Sequence, residues 1–420
     1  MSDDDGCPVP HGDRRRTSRP GESGGAPAVE VLDGVWHVRS LPLVRQVLRE
    51  ADATTQAGFN AEAARKGLTG DHPPVLYQDG PEHRRQRTAT ARFFTPATVG
   101  RRYRELMERR ADELVEGVRA TGGAELSGLT LRYSVEVAAQ VVGLTDSDVA
   151  GMARRLECFF AVPLDAARPG VLGRARAVVR SVRPLWAMTV FHRRDVRPAI
   201  AARRREPQDD VLSHLLEQGY TDREILVECL TYAAAGMATT REFIAVAAWH
   251  LLDDDALRRR YLDAGEPERQ SILHEILRLE PVVGHLHRRA VREIVLEDGG
   301  ERHVVPPGAL LDLSVRRANA DPVALGEDAL ELCPERPRPR GIRPEVMSFG
   351  DGAHRCPGGF LAIQETDVFL LRLLRLPLEV AHPPRVSWVD LISAYEVRDV
   401  VLRVRAGQEC REPSPASTAR

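Results

Sequence analysis

Phe349-Gly350-Asp351-Gly352-Ala353-His354-Arg355-Cys356-Pro357-Gly358 is the stretch from which the rest of the chain is read. One cysteine closes a glycine-punctuated loop, Pro357 follows it, and apolar residues of helical period come next (Phe360, Leu361, Ile363, Val368, Phe369, Leu370). Proline is favoured at the first helical position, where its missing N–H costs nothing, so the pattern predicts Cys356 at a helix N-terminus. Free amide protons and the positive end of the dipole there favour a thiolate over a thiol. Gly350 and Gly352 allow a tight turn that brings backbone N–H groups close to the sulfur. With no second cysteine nearby, Cys356 reads as a single-sulfur metal ligand; a buried structural cysteine in a glycine-rich turn is the plainer alternative.

Composition sets the frame. The chain has 420 residues, 43% hydrophobic and 29% charged, with a formal net charge of -2. That is ordinary for a globular protein with a large core, and bulk charge predicts attraction to neither nucleic acid nor a membrane. No Pro/Gly/Ser-rich linker divides the interior, so one domain is expected over 29–405, with a disordered segment at 1–28 and a flexible tail at 406–420. The N-terminal segment lacks the apolar core of a signal peptide and any membrane anchor. Six cysteines (Cys7, Cys158, Cys229, Cys333, Cys356, Cys410) show no C-x-x-C spacing. Their scatter argues against a zinc site or a disulfide framework and points to a reducing cytoplasm.

Three further stretches carry chemistry. Asp222 to Leu252 reads as one buried helix of about 45 Å, interrupted in composition by Ala235-Gly236-Met237-Ala238-Thr239-Thr240. His274-Glu275-Ile276-Leu277-Arg278 places Glu275 and Arg278 three apart on one helical face, with Pro281 ending the helix. Pro81 opens a helix in which His83 and Arg87, four apart, share a face while Arg84 and Arg85 point elsewhere. Between these stretches helix period dominates over 101–205, broken at Pro163, Pro169 and Gly170. Phe160, Trp186 and Phe191 there are candidates to line a pocket or, more plainly, to pack the core. Residues 56–78 show no sustained period and read as a long irregular connection.

The loop matches F-G-x-G-x-H-x-C-x-G at every fixed position and resembles the haem-binding loop of the cytochrome P450 family; the other segments match in the right order, from about Trp36 to the final apolar strands. The resemblance implies a mainly α fold with small β-sheets, a single triangular-prism-like domain around a long central helix. It implies haem b with the Cys356 thiolate as axial ligand, framed by Phe349, Gly350 and Gly358, and propionates held by His83, Arg87, Arg288 and His354. Glu275 and Arg278 become a buried structural pair completed by an arginine of 333–344, either Arg336 or Arg340. On the central helix the match is to A-G-x-[D/E]-T-T. Gly236 would let haem and dioxygen approach the backbone, and Thr239 would supply the hydroxyl that bonds dioxygen. The usual acid is replaced by Ala238, which leaves water, the substrate or Glu242, one turn on, as the proton source. Val283, Gly284, His285, Ala235, Ile392 and Ser393 would line the substrate pocket, and 163–170 would lie among mobile lid helices.

Function follows as an expectation. A bacterial, actinomycete-like enzyme is implied, with almost all of its basic residues arginine and Lys66 the single lysine. It would use dioxygen to hydroxylate or otherwise oxidise a small, largely apolar secondary-metabolite intermediate. Because nothing indicates a fused reductase, electrons would come from a separate ferredoxin and ferredoxin reductase. The alternative is an oxidase that joins aromatic rings without inserting oxygen, and a haem-bearing sensor without turnover is the rival from another class.

Overall fold

Asp33 and Gly34 both take positive φ, 50° and 80°. A two-residue turn of that kind matches the twist of paired strands and folds β1 (Val29–Leu32) against β2 (Val35–Val38) as a hairpin. The computed structural model describes residues 26–59, 61–67, 72–160, 186–381, 384–389, 392 and 394–405. The hairpin extends into a five-stranded sheet with β3 (Thr54–Gln56), β4 (His285–Ala290) and β5 (Leu310–Ser314), in the order β1-β2-β5-β4-β3. Only β2 and β5 run parallel; the other pairings are antiparallel. Alternation along β4 sends Leu286 and Arg288 to one face and His285 and His287 to the other. A separate hairpin of β6 (Arg385–Val389) and β7 (Ala394–Arg398) pairs Ser387 with Glu396.

Helix α1 (Leu41–Arg49) buries Leu43, Val44, Val47 and Leu48 against the five-stranded sheet, as its apolar spacing requires. The other elements that frame the site are α2 (Gly80–Ala91), α3 (Leu126–Val142), a long central helix α4 (222–253), α5 (Glu266–Leu279) and α6 (Gly359–Leu373). Two apolar cores result. Tyr133, Ile244, Ile272 and Phe369 join α3, α4, α5 and α6 in one; Val38, Leu41, Val44 and Leu311 join α1 to the sheet in the other. The cysteine loop meets both, with its Phe349 packed on the first core and its Gly350 facing Leu286, a β4 residue packed on the second.

The central helix differs from an uninterrupted rod. It runs as Asp222–Tyr232, widens to π-helical turns over Ala233–Ala238, and resumes as Thr239–Asp253. A capping box between Thr221 and Glu224 fixes its start. Widening displaces the backbone carbonyls from their usual donors, and side chains answer for two of them. Ser134 Oγ on α3 donates to the Met237 carbonyl at 2.9 Å, and Thr239 Oγ1 donates to the Ala235 carbonyl at 2.5 Å. Insertions of this kind inside long helices concentrate at functional sites.

Candidate functional site

The loop that ends at Cys356 is held from three sides. Gly350 and Gly352 sit at φ 66° and 65°, and a Cβ on Gly352 would lie 2.0 Å from the Leu48 carbonyl oxygen. The loop therefore crosses the end of α1 at backbone contact, where no side chain fits. Asp351 accepts from Arg49 Nε at 2.7 Å and Arg45 Nε at 3.1 Å. Burial pushes its carboxyl up, but these bonds and the Gly352 N–H more than offset that and hold it below the usual range. The Cys356 N–H donates to the Phe349 carbonyl at 2.8 Å. A Cβ on Gly359 would meet the Phe349 ring at 3.0 Å, so that glycine lets α6 begin against the ring.

The start of α6 corrects the sequence reading. The helix begins at Gly359 with Gly358 as its cap, and Pro357 lies in the preceding turn rather than at the first helical position. That turn aims the Gly358 N–H at the sulfur. Burial nonetheless pushes the Cys356 thiol up, and the Gly358 N–H, Arg87 and Arg355 offset this only in part. A metal must take the proton's place, because only the deprotonated sulfur is a good ligand.

Beside the sulfur lies an excess of buried positive charge. Arg288, from β4, is 4% exposed and donates to the neutral Gln56 side chain at 2.6 Å. Burial drives its guanidinium down to about 10. Arg87, on α2, donates to the Arg355 carbonyl. Among the described residues neither arginine has a carboxylate partner. His83 and His354 stack with ring centroids 4.1 Å apart, and His354 Nε2 lies 3.0 Å from Asp79 Oδ1. Burial, then His354 and Arg87, lower His83 to about 4. Arg84 and Arg85 are exposed, as the face reading predicted. A buried guanidinium without an anion, such as Arg288, is costly, so with half-buried Arg87 beside it this cluster fits a dianionic group and the sulfur a single metal. Together they fit haem.

Behind the loop, the Glu275–Arg278 pair is fully satisfied. Arg278 Nε and Nη2 donate to Glu275 at 2.8 and 2.6 Å, and its remaining N–H groups reach the Asn319, Ala329 and Glu331 carbonyls. Arg336, not the exposed Arg340, completes the network, with Nε 3.4 Å from Glu275 Oε1. Asn319 and Ser348 then tie this helix to the cysteine loop. Asn319 Nδ2 donates to the Arg278 carbonyl and to Ser348 Oγ, Ser348 Oγ donates to the Leu277 carbonyl, and Asn319 Oδ1 accepts from the Met347 N–H. This grip holds the buried, β-branched Val346 at φ 54°, a conformation that side chains of its type avoid.

On the distal side, exposed Ala235 and half-buried Gly236, Ala238 and Thr239 lie together on the central helix beside buried Ala233, Met237 and Thr240. Glu242 does not join them as a free acid. Both its oxygens accept from Arg398, at 2.7 and 2.8 Å, and Oε1 also accepts from Arg241 Nε at 2.9 Å. Burial pushes its carboxyl up, but the two guanidiniums hold it below the usual range. A carboxylate so paired is a poor proton donor, and the expectation for Glu242 is corrected. His285 is corrected too: its ring turns to Asp312, Nδ1 to Oδ1 2.7 Å, on the sheet face opposite Leu286 and Arg288. Val283 is half-buried, and the Gly284 N–H donates to the Ile392 carbonyl at 3.1 Å. Phe191 is core and Trp186 is exposed. Ser393 and 163–170 lie outside the described residues, as does the Phe160 side chain.

Sequence reasoning missed four residues. Asp79 and Gln56 serve the basic cluster; Asp79 precedes Gly80-Pro81 and looks like a helix cap, but its carboxylate takes the Gln56 N–H, Arg65 and His354 instead. Asn319 was visible in Ala318-Asn319-Ala320-Asp321-Pro322 without a role, and Ser348 gave no signal.

The family model described as Cytochrome P450 matches residues 269–383. Nocardicin C N-oxygenase of Nocardia uniformis subsp. tsuyamanensis is 31% identical over 326 residues, 75% of this chain and 75% of that protein. Cytochrome P450 130 of Mycobacterium tuberculosis is 29% identical over 329 residues, 76% and 75% of the two chains. The solved structure of CYP109E1 from Bacillus megaterium in complex with corticosterone superposes with a TM-score of 0.70 at 21% identity, covering 90% of this chain and 95% of that one. HmtN, a post-tailoring hydroxylase involved in himastatin biosynthesis, gives 0.70 at 22% identity, covering 91% and 95%. Fold and site together define a haem-thiolate oxidoreductase. The chain belongs to the cytochrome P450 family, whose members oxidise small molecules with electrons from redox partners. Among the described residues no helix is long and apolar enough to cross a membrane.

Proposed function

We propose that this chain is a monooxygenase that binds haem b through Cys356 and hydroxylates or otherwise oxidises a small, largely apolar secondary-metabolite intermediate. The observation that carries the reading is a pair of guanidiniums, buried Arg288 and half-buried Arg87, that have no carboxylate partner among the described residues and lie beside the single half-buried Cys356. Arg87, Arg288, His83 and His354 would take the two propionates, with arginine well suited to grip a carboxylate by two parallel bonds. Bound haem supplies redox chemistry with dioxygen, and a thiolate ligand favours O–O cleavage. The Gly358 N–H tempers the donation from the sulfur. Half-buried Thr239 moves protons by exchanging the bond from its Oγ1 to the Ala235 carbonyl for one to a distal acceptor. Exposed Arg84 and Arg85 suit an acidic electron donor, a separate ferredoxin served by its reductase.

A second reading is a ring-coupling oxidase acting on indole- or phenol-bearing substrates without oxygen insertion. Ala238 in place of the acid, together with Glu242 locked between arginines, favours it, because such reactions draw protons from the substrate. The test is a spin-state titration of the ferric protein with aromatic cyclic dipeptides against terpenoid, fatty-acid and macrolide compounds, repeated on Ala238→Asp. A response to aliphatic compounds, with better coupling of electrons to product in Ala238→Asp, supports hydroxylation. A response to aromatic dipeptides alone, unchanged by Ala238→Asp, supports coupling. No ligand response together with no dioxygen consumption would leave a sensor.

A further inference from the structure

We infer that Glu242 and Arg398 are positioning residues: their buried ion pair fixes the β6–β7 hairpin against the dioxygen-facing turn of the central helix and so sets the shape of the substrate pocket. The inference rests on the haem-thiolate reading for its functional consequence, but the contact itself is independent of it. Glu242 is 5% exposed and stands three residues after Thr239 on the same helix. Arg398, at the end of β7, gives it two bonds, one to each oxygen, at 2.7 and 2.8 Å, the bidentate arrangement that makes guanidinium–carboxylate pairs strong and geometrically specific.

The pair is part of a chain of contacts that crosses the hairpin. Arg398 Nη2 also donates to Glu396, Glu396 accepts from Ser387 Oγ at 2.9 Å across the two strands, and Ser387 and Glu396 are direct register partners. Arg241 covers the other side of Glu242 and completes its neutralisation. At the far end of the hairpin, the Ile392 carbonyl accepts from the Gly284 N–H, and the Gly284 carbonyl accepts from the Val315 N–H. The hairpin is thus tied at its base to the central helix and at its tip to the segment entering β4. An isolated two-stranded hairpin is marginal in water, so its position depends on these ties together with the packing of Val397 and Val386 on the first core. The base tie is a charge pair whose loss leaves a buried charge uncompensated. Without it the tip residue Ile392 loses its fixed distance from the Thr239 turn.

The experiment compares wild type with Glu242→Gln, Arg398→Met and Arg398→Lys by two readouts. The first is hydrogen–deuterium exchange over 385–398, which does not depend on the cofactor. The second is the spectral dissociation constant of 4-phenylimidazole relative to imidazole; both bind iron through nitrogen, but only the phenyl ring needs the pocket wall. Faster exchange in Glu242→Gln and Arg398→Met, with the ratio shifted by about fivefold or more as is typical of coupling between packed elements, and partial rescue by Arg398→Lys, is the expected result. Unchanged exchange overturns the tie itself. Faster exchange with an unchanged ratio overturns its role in the pocket. Should Arg398→Met fail to load haem, the double variant E242Q/R398M removes both members of the pair: a shifted ratio in it supports the positioning role, and a wild-type ratio overturns it. A wild-type protein without a thiolate spectrum would defeat the haem reading, while the exchange arm would still decide whether the pair holds the hairpin.

Discussion

Replacing Glu275 with Gln changes one atom and removes one charge from a site that is 1% exposed. In the native protein that charge is shared between Arg278, which gives it two bonds, and Arg336, at 3.4 Å, while the Cys333 N–H adds a third donor at 3.0 Å. Glutamine keeps one acceptor oxygen but turns an NH₂ group toward guanidinium donors, leaving the buried Arg278 with no anion while Arg336 keeps only Asp328, at 2.7 Å. Breaking a buried pair from one side costs roughly 3–5 kcal/mol, a large part of the ~5–15 kcal/mol that holds a folded domain. Scaled by the unfolding entropy per residue, that lowers the melting temperature of this chain by about 5 °C. The effect on cofactor content should be larger, because Asn319 and Ser348 carry the position of Arg278 directly into Met347 and the cysteine loop. The assay is differential scanning calorimetry with the haem-to-protein ratio measured on the same preparation, and Arg340→Gln, at an exposed position, serves as the silent control. A Glu275→Gln protein that melts within a degree of wild type with full haem content would refute the reasoning. So would an Arg340→Gln protein that fails equally.

Other outcomes follow from the same structure. Arg288→Met should weaken haem retention by roughly ten- to a hundredfold, the loss of a charge-assisted bond worth about 1.5–3 kcal/mol, measured as haem transfer to an apo-globin acceptor; unchanged transfer would remove Arg288 from the propionate site. Glu228 has an unpartnered Oε2, and burial raises its carboxyl to about 7. The folded state therefore keeps a proton that the unfolded chain loses, and stability falls as pH rises from about 4.5 to 7. Glu228→Gln should raise the melting temperature above pH 7 and leave it unchanged near pH 4, and a stabilisation independent of pH would contradict this. His83, lowered to about 4 by burial, His354 and Arg87, acts in the opposite sense. The cofactor-free protein should lose stability as pH falls from about 6.5 toward 4, and His83→Gln should flatten that limb of a thermal pH profile. At Gly236 a Cβ would meet only Ala138 Cβ, at an ordinary 3.7 Å. Gly236→Ala should leave the melting temperature unchanged or slightly higher while slowing dioxygen consumption; a clear drop in melting temperature would mean that packing, not ligand approach, demands the glycine.

Much of the fold was legible because its signals are local. The spacing of Leu43, Val44, Val47 and Leu48 declares α1, and Gly352 sits where the backbone passes α1 with no room for a side chain. Glu275 and Arg278 could be paired from a three-residue interval alone. What stayed hidden depends on contacts between distant segments. The choice of Arg336 over Arg340 is made by the Cys333–Arg336 turn, which no periodicity reveals. Glu242 shares a helical face with Ala238, and its capture by Arg398, 156 residues away, has no signature in either stretch. His285 was assigned to the pocket from its place after Gly284, but strand alternation turns it toward Asp312, on a strand whose register only the sheet defines. The π-helical turns over Ala233–Ala238 arise from packing on α3 and the bond from Ser134, and an apolar helical period does not encode them.

The most direct test of the central claim is the absorption spectrum of the reduced, carbon monoxide-bound protein beside that of Cys356→His. The account predicts the strongly red-shifted Soret band of a thiolate-ligated haem in wild type and its replacement by an imidazole-type band, or by loss of haem, in the variant. An imidazole-type band in wild type, or a red-shifted band that survives the loss of Cys356, would contradict it.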